Sequence, residues 1–243
     1  MKKIASCSFG KDSVAAIIVA LEHGIKIDEI LYCRVMFDEK ISAEYPEHEK
    51  FIHEVAIPKF YNEFGLKTTI IESKKYVDYF YKKYGERSKK IGQIYGFPKT
   101  IHPWCNDRLK MNAIKNYKKT QDDFISIVGI AADETKRIER KIVSNAILPL
   151  VDYGITEDMT YDICRKYDLL SPAYDELKTK RLGCWFCPNQ RVSLLRIIRK
   201  KHPCFWKKLL EMQKDSPVSF TPNYSMFDLE KRFSNEDNDL LNR

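Results

Sequence analysis

Two stretches of the chain hold residue types whose spacing can do chemistry. The first is Ser8-Phe9-Gly10-Lys11-Asp12-Ser13, which puts two hydroxyls, a glycine, a lysine and a carboxylate within six residues. Gly10 permits close backbone approach, Lys11 can neutralise phosphate charge, and Ser8 and Ser13 can donate hydrogen bonds. Asp12 suits either the cap of a following helix or a magnesium ion that itself holds phosphate. The second is Cys184-Trp185-Phe186-Cys187-Pro188, whose two-residue gap lets both thiolates reach one tetrahedral metal or one iron-sulfur cluster.

A pair of thiolates is half of a site. The chain has no second close cysteine pair of the kind a zinc ribbon needs, and Cys187, His202 and Cys204 do not have the spacing of zinc ligands. A third group, Asp133, Glu134, Arg137 and Arg140, carries charge of both signs just after an apolar run, where a nucleotide and its metal would be held.

These residues need a frame that presents them together, and the apolar pattern supplies one. Lys3 to Ser8 reads as a strand and Asp12 to His23 as a helix that is apolar nearly all round. Glu29 to Phe37 and Lys67 to Glu72 read as further strands flanking a long helix from Glu47 to Phe64. This βαβαβ rhythm predicts a parallel sheet with right-handed crossovers. Tyr76 to Tyr84 and Asp107 to Tyr117 read as helices around a basic, loop-rich insertion from Gly85 to His102. Asp123 to Ile130 is a strong strand and Ile147 to Val151 the last one.

Beyond the sheet, Thr156 caps a helix running to Tyr167. Two basic helices, near Arg191 to Lys201 and Pro203 to Lys214, precede a polar tail. The expectation is a doubly wound α/β fold around a mainly parallel five-stranded sheet. Residues 1–155 would form the nucleotide-binding domain, and residues 156–243 a small helical region with the cysteine segment, packed on it. In such a sheet ligands sit beyond the carboxyl ends of the strands, at helix N-termini, which is where Ser8 to Ser13 falls.

Composition narrows the class. The 243 residues are 44% hydrophobic, enough for a sizeable core. Neither a signal peptide nor a run of about 18 apolar residues is apparent, so the expected location is cytoplasmic, with no membrane partner. Seven cysteines, an odd and irregular set, point to metal or redox use rather than a disulfide framework. Cys7, Cys33 and Cys164 fall in apolar elements and read as small buried residues. A net charge of +8, with basic patches at Lys136 to Lys141, Lys178 to Arg181 and Arg196 to Lys201, makes polyanions expected partners.

The Ser8–Ser13 loop resembles the SGGKDS loop of the ATP pyrophosphatase (PP-loop) superfamily, the adenine nucleotide alpha hydrolase-like proteins. Phe9 stands where that loop has its first glycine, so a positive φ there would be strained. Four further blocks, "EYPEHEKFI" at 44–52, "PWCNDRLKMNAI" at 103–114, "GIAADETKRIERK" at 129–141 and the segment from Pro149 to Gln190, resemble the phosphoadenosine phosphosulfate (PAPS) reductase family. Ala131 departs from the arginine common in that family.

The resemblance implies an enzyme that binds ATP or an adenylyl sulfonucleotide through Ser8, Gly10, Lys11, Asp12, Ser13, Gly129, Asp133 and Glu134, with magnesium on the polyphosphate. Lys11, Asp12 and Arg137 would be catalytic, cleaving between the alpha and beta phosphates. Cys105 would join Cys184 and Cys187 around an iron-sulfur cluster, with zinc as the alternative. The nucleophilic cysteine that reductases of this kind carry near their C-terminus has no counterpart after Cys204. The first expectation is therefore acceptor adenylation followed by sulfur transfer, as in nucleic-acid thiolation. The alternatives are a sulfite-releasing sulfonucleotide reductase that uses Cys204, and a non-catalytic nucleotide- or nucleic-acid-binding module. Expected partners are an adenine nucleotide, a tRNA or DNA acceptor bound by Arg196, Arg199, Lys200 and Lys201, a sulfur-donor protein and a second copy of the chain.

Overall fold

Short apolar runs separated by helices fold into one sheet of five parallel strands, in the order β3-β2-β1-β4-β5. The strands are β1 Lys2–Ser6, β2 Glu29–Arg34, β3 Thr68–Glu72, β4 Phe124–Val128 and β5 Ala146–Ile147. The computed structural model describes residues 1–101, 103–121, 123–140 and 145–241. Helix α1, Lys11–Glu22, follows β1 and is buried along most of its length. The chain steps outward from β1 to β2 and β3, then returns to set β4 on the other side of β1. That reversal puts a switch point at the carboxyl ends of β1 and β4, the usual ligand position in an open parallel sheet.

Several elements differ from expectation, and the helix expected over Tyr76–Tyr84 ends at Phe80. The long helix is built as Pro46–Phe51, a π-wound Ile52–Ala56 and Ile57–Phe64. Pro58 has no N–H and its ring crowds the carbonyl four residues back, so the preceding turn widens. The last strand is only Ala146–Ile147, because Pro149 cannot donate to a ladder and instead opens a helical turn, Pro149–Asp152. The helix after Thr156 runs Glu157–Lys166, but the Thr156 side chain makes no capping bond. The Asp133 carboxylate accepts the Glu157 N–H instead, at 3.0 Å. The polar tail is a helix, Met226–Leu241. Met226, Leu229 and Phe233, at helical spacing, are its buried face.

The insertion is a short ribbon. Lys83 and Ile94 form an antiparallel bridge, the Tyr84 N–H donates to the Gln93 carbonyl and the Tyr95 N–H to that of Lys82. Two apolar cores result. One surrounds α1 and the sheet and takes in Cys164 and Leu169; the other joins Tyr45, Tyr76 and Phe97 to Trp185, Phe186 and the C-terminal helices. No described helix is long and apolar enough to cross a membrane.

Candidate functional site

The loop after β1 is shaped by its own side chains. The Ser13 hydroxyl donates to the Gly10 carbonyl at 2.8 Å and accepts the Ser8 N–H at 3.3 Å, closing the turn. Phe9 takes φ 56°, a left-handed conformation that costs a bulky residue energy. Its ring offsets that cost. It is fully buried, edge-on to Tyr32 with centroids 5.3 Å apart, and 6.3 Å from Phe60.

Gly10, not Asp12, occupies the cap position of α1. A Cβ at Gly10 would lie 3.3 Å from the Tyr174 hydroxyl, which accepts the Lys11 N–H at 2.9 Å. Gly129, at the end of β4, sits directly on this loop: a Cβ there would lie 2.5 Å from the Asp12 carbonyl oxygen. Only glycine lets β4 approach α1 so closely.

Lys11 is buried, 2% exposed, and its ammonium pairs with Asp12 at 2.7 Å and Glu157 at 3.0 Å. Burial disfavours its charge, but the hydrogen bonds and charges of Asp12 and Glu157 outweigh that and hold its pKa above the ordinary lysine value. Asp12 also accepts the Thr160 hydroxyl at 3.1 Å, and Tyr161 lies under the ammonium at 5.0 Å. The polar end of the Glu157–Lys166 helix thus completes the loop. Glu134 pairs with Arg137 at 2.9 Å and accepts the Ala131 N–H at 3.2 Å, fixing the turn after β4. The side chain of Arg140 and residue Lys141 lie outside the described residues.

The three cysteines named from sequence come from two distant segments into one neighbourhood. Burial pushes the Cys105 thiol up to about 11, with Cys187 adding to the shift. Cys184 is raised well above the ordinary thiol value by burial, then by the charges of Glu44, Cys187 and Cys105. Burial also raises Cys187. All seven cysteines are free thiols; Cys7, Cys33 and Cys164 are buried, and Cys204 is exposed. Among the described residues no group of three or more His, Cys, Asp or Glu is arranged to grip a single metal ion.

The turn bearing the pair is docked on residues 42–45. The Trp185 N–H donates to the Ala43 carbonyl at 2.9 Å, its indole N–H to that of Ser42 at 2.9 Å, and the Gln190 amide to the Tyr45 hydroxyl at 2.6 Å. Tyr76, fully buried, feels all three thiols, and Trp104, next to Cys105, stacks on it with centroids 5.1 Å apart. The Tyr76 hydroxyl and the Trp104 indole nitrogen are buried with no hydrogen-bond partner among the described residues. The three thiols as they stand do not converge on one ion, while the two buried groups beside them, without partners among the described residues, are of the type that donates hydrogen bonds to sulfur.

Sequence reading passed over the residues that link loop and thiols. His48, buried, has Nδ1 2.9 Å from the Ser171 hydroxyl and Nε2 3.4 Å from the Ser8 carbonyl and 3.9 Å from Glu44. Glu44 in turn acts on Cys184. Lys110 acts on Cys7, Cys33 and Cys184 alike. Both Glu44 and His48 lie in the block at 44–52, which was the available signal. Conversely, the cations expected to take nucleic acid are neutralised within the chain. Arg199 pairs with Glu230 and Asp237, Arg196 with Glu236, Lys200 with Asp237 and Lys201 with Glu176.

Fold and site together define an all-parallel α/β protein with a glycine-lysine loop at its switch point and a thiol cluster beyond it. No protein-family model matches the chain, and no curated protein does. Among solved structures, the U34-tRNA thiolase NcsA from Methanococcus maripaludis with its [4Fe-4S] cluster is similar over 96% of this chain and 80% of that one, at 16% identity and a TM-score of 0.42.

Proposed function

We propose that the chain is a PP-loop enzyme of PAPS reductase-like type that cleaves ATP between the alpha and beta phosphates, adenylates an acceptor oxygen and replaces that oxygen with sulfur, the acceptor being a nucleic-acid base. The observation that supports the reading is the run from the Ser8 carbonyl to His48 Nε2 at 3.4 Å, on to Glu44 at 3.9 Å and, at the adjacent Ala43 carbonyl, to the Trp185 N–H beside Cys184 at 2.9 Å.

The loop and the carboxyl edge of β4 receive the triphosphate, with magnesium on the polyphosphate. Lys11 exchanges its contacts with Asp12 and Glu157 for phosphate oxygens, and its charge, with that of Arg137, offsets the charge that develops as pyrophosphate leaves. Asp12, released by Lys11, faces the metal; Asp133 and Glu134 hold the turn after β4. The acceptor oxygen attacks the alpha phosphorus, pyrophosphate departs, and a sulfide nucleophile then displaces AMP. Cys105, Cys184 and Cys187 would hold an iron-sulfur cluster, which when bound supplies that sulfide. Glu44 and Lys110, whose charges act on Cys184, would set the charge beside the thiols. Because the three thiols are held protonated by burial, loading the group releases protons.

The test is anaerobic incubation of reconstituted protein with ATP, sulfide and unmodified RNA, reading pyrophosphate and, by mass spectrometry of digested nucleosides, exchange of oxygen for sulfur. Both products should form. Sulfite release from an adenylyl sulfate, lost in Cys204→Ser, would identify the reductase instead.

A further inference from the structure

The charge of this protein is concentrated in one segment. Residues 82–119 hold eleven Lys and Arg against two acids, Glu86 and Asp107, a balance of +9 where the whole chain carries +8. Everything else therefore sums to about neutral, and most of it is internally paired, whereas no described ion pair involves residues 82–99. The contrast with the C-terminal helices is direct. Their cations meet the carboxylates of the Met226–Leu241 helix, whereas Lys82, Lys83, Arg87, Lys89, Lys90 and Lys99 are exposed and belong to no described ion pair. Leaving so many like charges unpaired on one short ribbon costs stability, and complementary charge on a partner would recover it.

The ribbon also carries aromatic rings and leads to the thiols. Tyr84 and Tyr95 lie against each other with centroids 4.5 Å apart, Lys90 over Tyr84 at 5.9 Å and Lys82 over Tyr79 at 5.7 Å. Tyr95 and Tyr79 both contact Trp104, which immediately precedes Cys105. Gly85, Glu86, Arg87 and Ser88 line an open concavity at the tip. Cations interleaved with rings along a track are the elements of single-strand binding: the charges follow the backbone and the rings offer stacking faces.

We infer that the ribbon at 82–99 is the docking surface for a single-stranded segment of nucleic acid, held by its phosphates on Arg87, Lys89 and Lys90 and led past Tyr95 and Trp104 toward Cys105. The inference gives the proposed function its acceptor surface and rests on that reading for the purpose of the contact, but binding needs neither ATP nor a cluster, so the two can fail separately. An acidic protein is the competing partner for the same charge.

The experiment is fluorescence anisotropy of the full chain with labelled single-stranded RNA and DNA oligonucleotides of equal length, and with polyglutamate, across a salt series. Two triple variants are compared: Arg87→Gln/Lys89→Gln/Lys90→Gln on the ribbon, and Lys26→Gln/Lys50→Gln/Lys166→Gln at exposed, carboxylate-paired sites. Each single-strand phosphate contact contributes about 0.7 to the logarithmic salt slope, so the ribbon triple should lower the slope by about 2 and weaken binding roughly tenfold to a hundredfold at about 0.1 M salt. The second triple should stay within about twofold of the parent. RNA and DNA binding alike marks backbone recognition, and RNA preference marks the sugar; both support the surface. Equal losses in the two triples, no loss in the ribbon triple, or polyglutamate bound as tightly as the oligonucleotides would overturn it.

Discussion

The loop after β1 and the cysteine neighbourhood are built on opposite principles. In the loop, Ser13, Tyr174, Asp12 and Glu157 close on the backbone and on Lys11, and Phe9 is locked by burial. At the thiols, the shell is aromatic and the polar groups within it, Tyr76 and Trp104, have no hydrogen-bond partners among the described residues. The first region is internally paired; the second keeps two buried polar groups without partners among the described residues, and on the proposed function the first opens its lysine contacts to bind while the second gains contacts. The difference teaches that a polar cluster can be satisfied by its own side chains, as at the loop, or left with unpartnered buried groups, as beside the thiols, and that the proposed function asks opposite changes of the two.

The comparison breaks most visibly if each half is removed alone. Lys11→Met should lower pyrophosphate release by about 10²–10³-fold, while stability changes by no more than about 1 kcal/mol, because Asp12 and Glu157 are partly exposed and can be rehydrated. Cysteine content and metal uptake should be unaffected. Next in size is Phe9→Gly. It relieves the strained φ, about 1–2 kcal/mol, but forfeits a fully buried ring, about 3–5 kcal/mol, so denaturant unfolding should show a net loss of roughly 2–3 kcal/mol.

Tyr76→Phe sharpens the comparison because the two regions predict opposite signs. Removing an unpartnered buried hydroxyl should leave the metal-free protein as stable or more stable, by up to about 1–3 kcal/mol. The loaded protein should lose iron faster to a chelator. Asp133→Ala, which removes the side-chain acceptor at the start of the Glu157–Lys166 helix, should cost about 1 kcal/mol in thermal or denaturant unfolding.

The smallest effect is on the C-terminal helix. The Arg199 hydrogen bonds hold the Glu230 carboxyl below its ordinary value, against some burial, with Trp206 and Ser234 assisting. A depressed carboxyl stabilises the fold above its unfolded pKa, and that contribution fades as pH falls through the lower folded one. Circular dichroism should therefore show the Met226–Leu241 helix loosening below about pH 4.5, and Glu230→Gln should weaken that dependence, with Glu236 and Asp237, also held below their ordinary values by hydrogen bonds to Arg232 and Lys200, keeping the rest.

The sheet was legible because its strands are short apolar runs alternating with helices, a pattern that admits few topologies. The loop was legible because glycine, lysine and hydroxyls cluster within six residues. Cys105 was named only through resemblance, since nothing in its local sequence pairs it with residues some eighty positions away. The Met226–Leu241 helix was missed although Met226, Leu229 and Phe233 have helical spacing, because the polar residues between them dominate the composition. The pairing of Arg196 and Arg199 with that helix was invisible for the same reason. Tyr174, Glu157 and Thr160 reach the loop from about 150 residues away, which no local pattern encodes.

The most direct test of the account is the metal and sulfide content of the parent chain after anaerobic purification and reconstitution. The account predicts about four irons with matching sulfide per chain, and loss of both in Cys105→Ser, Cys184→Ser and Cys187→Ser with nucleotide binding retained. Zinc in place of iron, no metal at all, or iron that survives all three substitutions would contradict it.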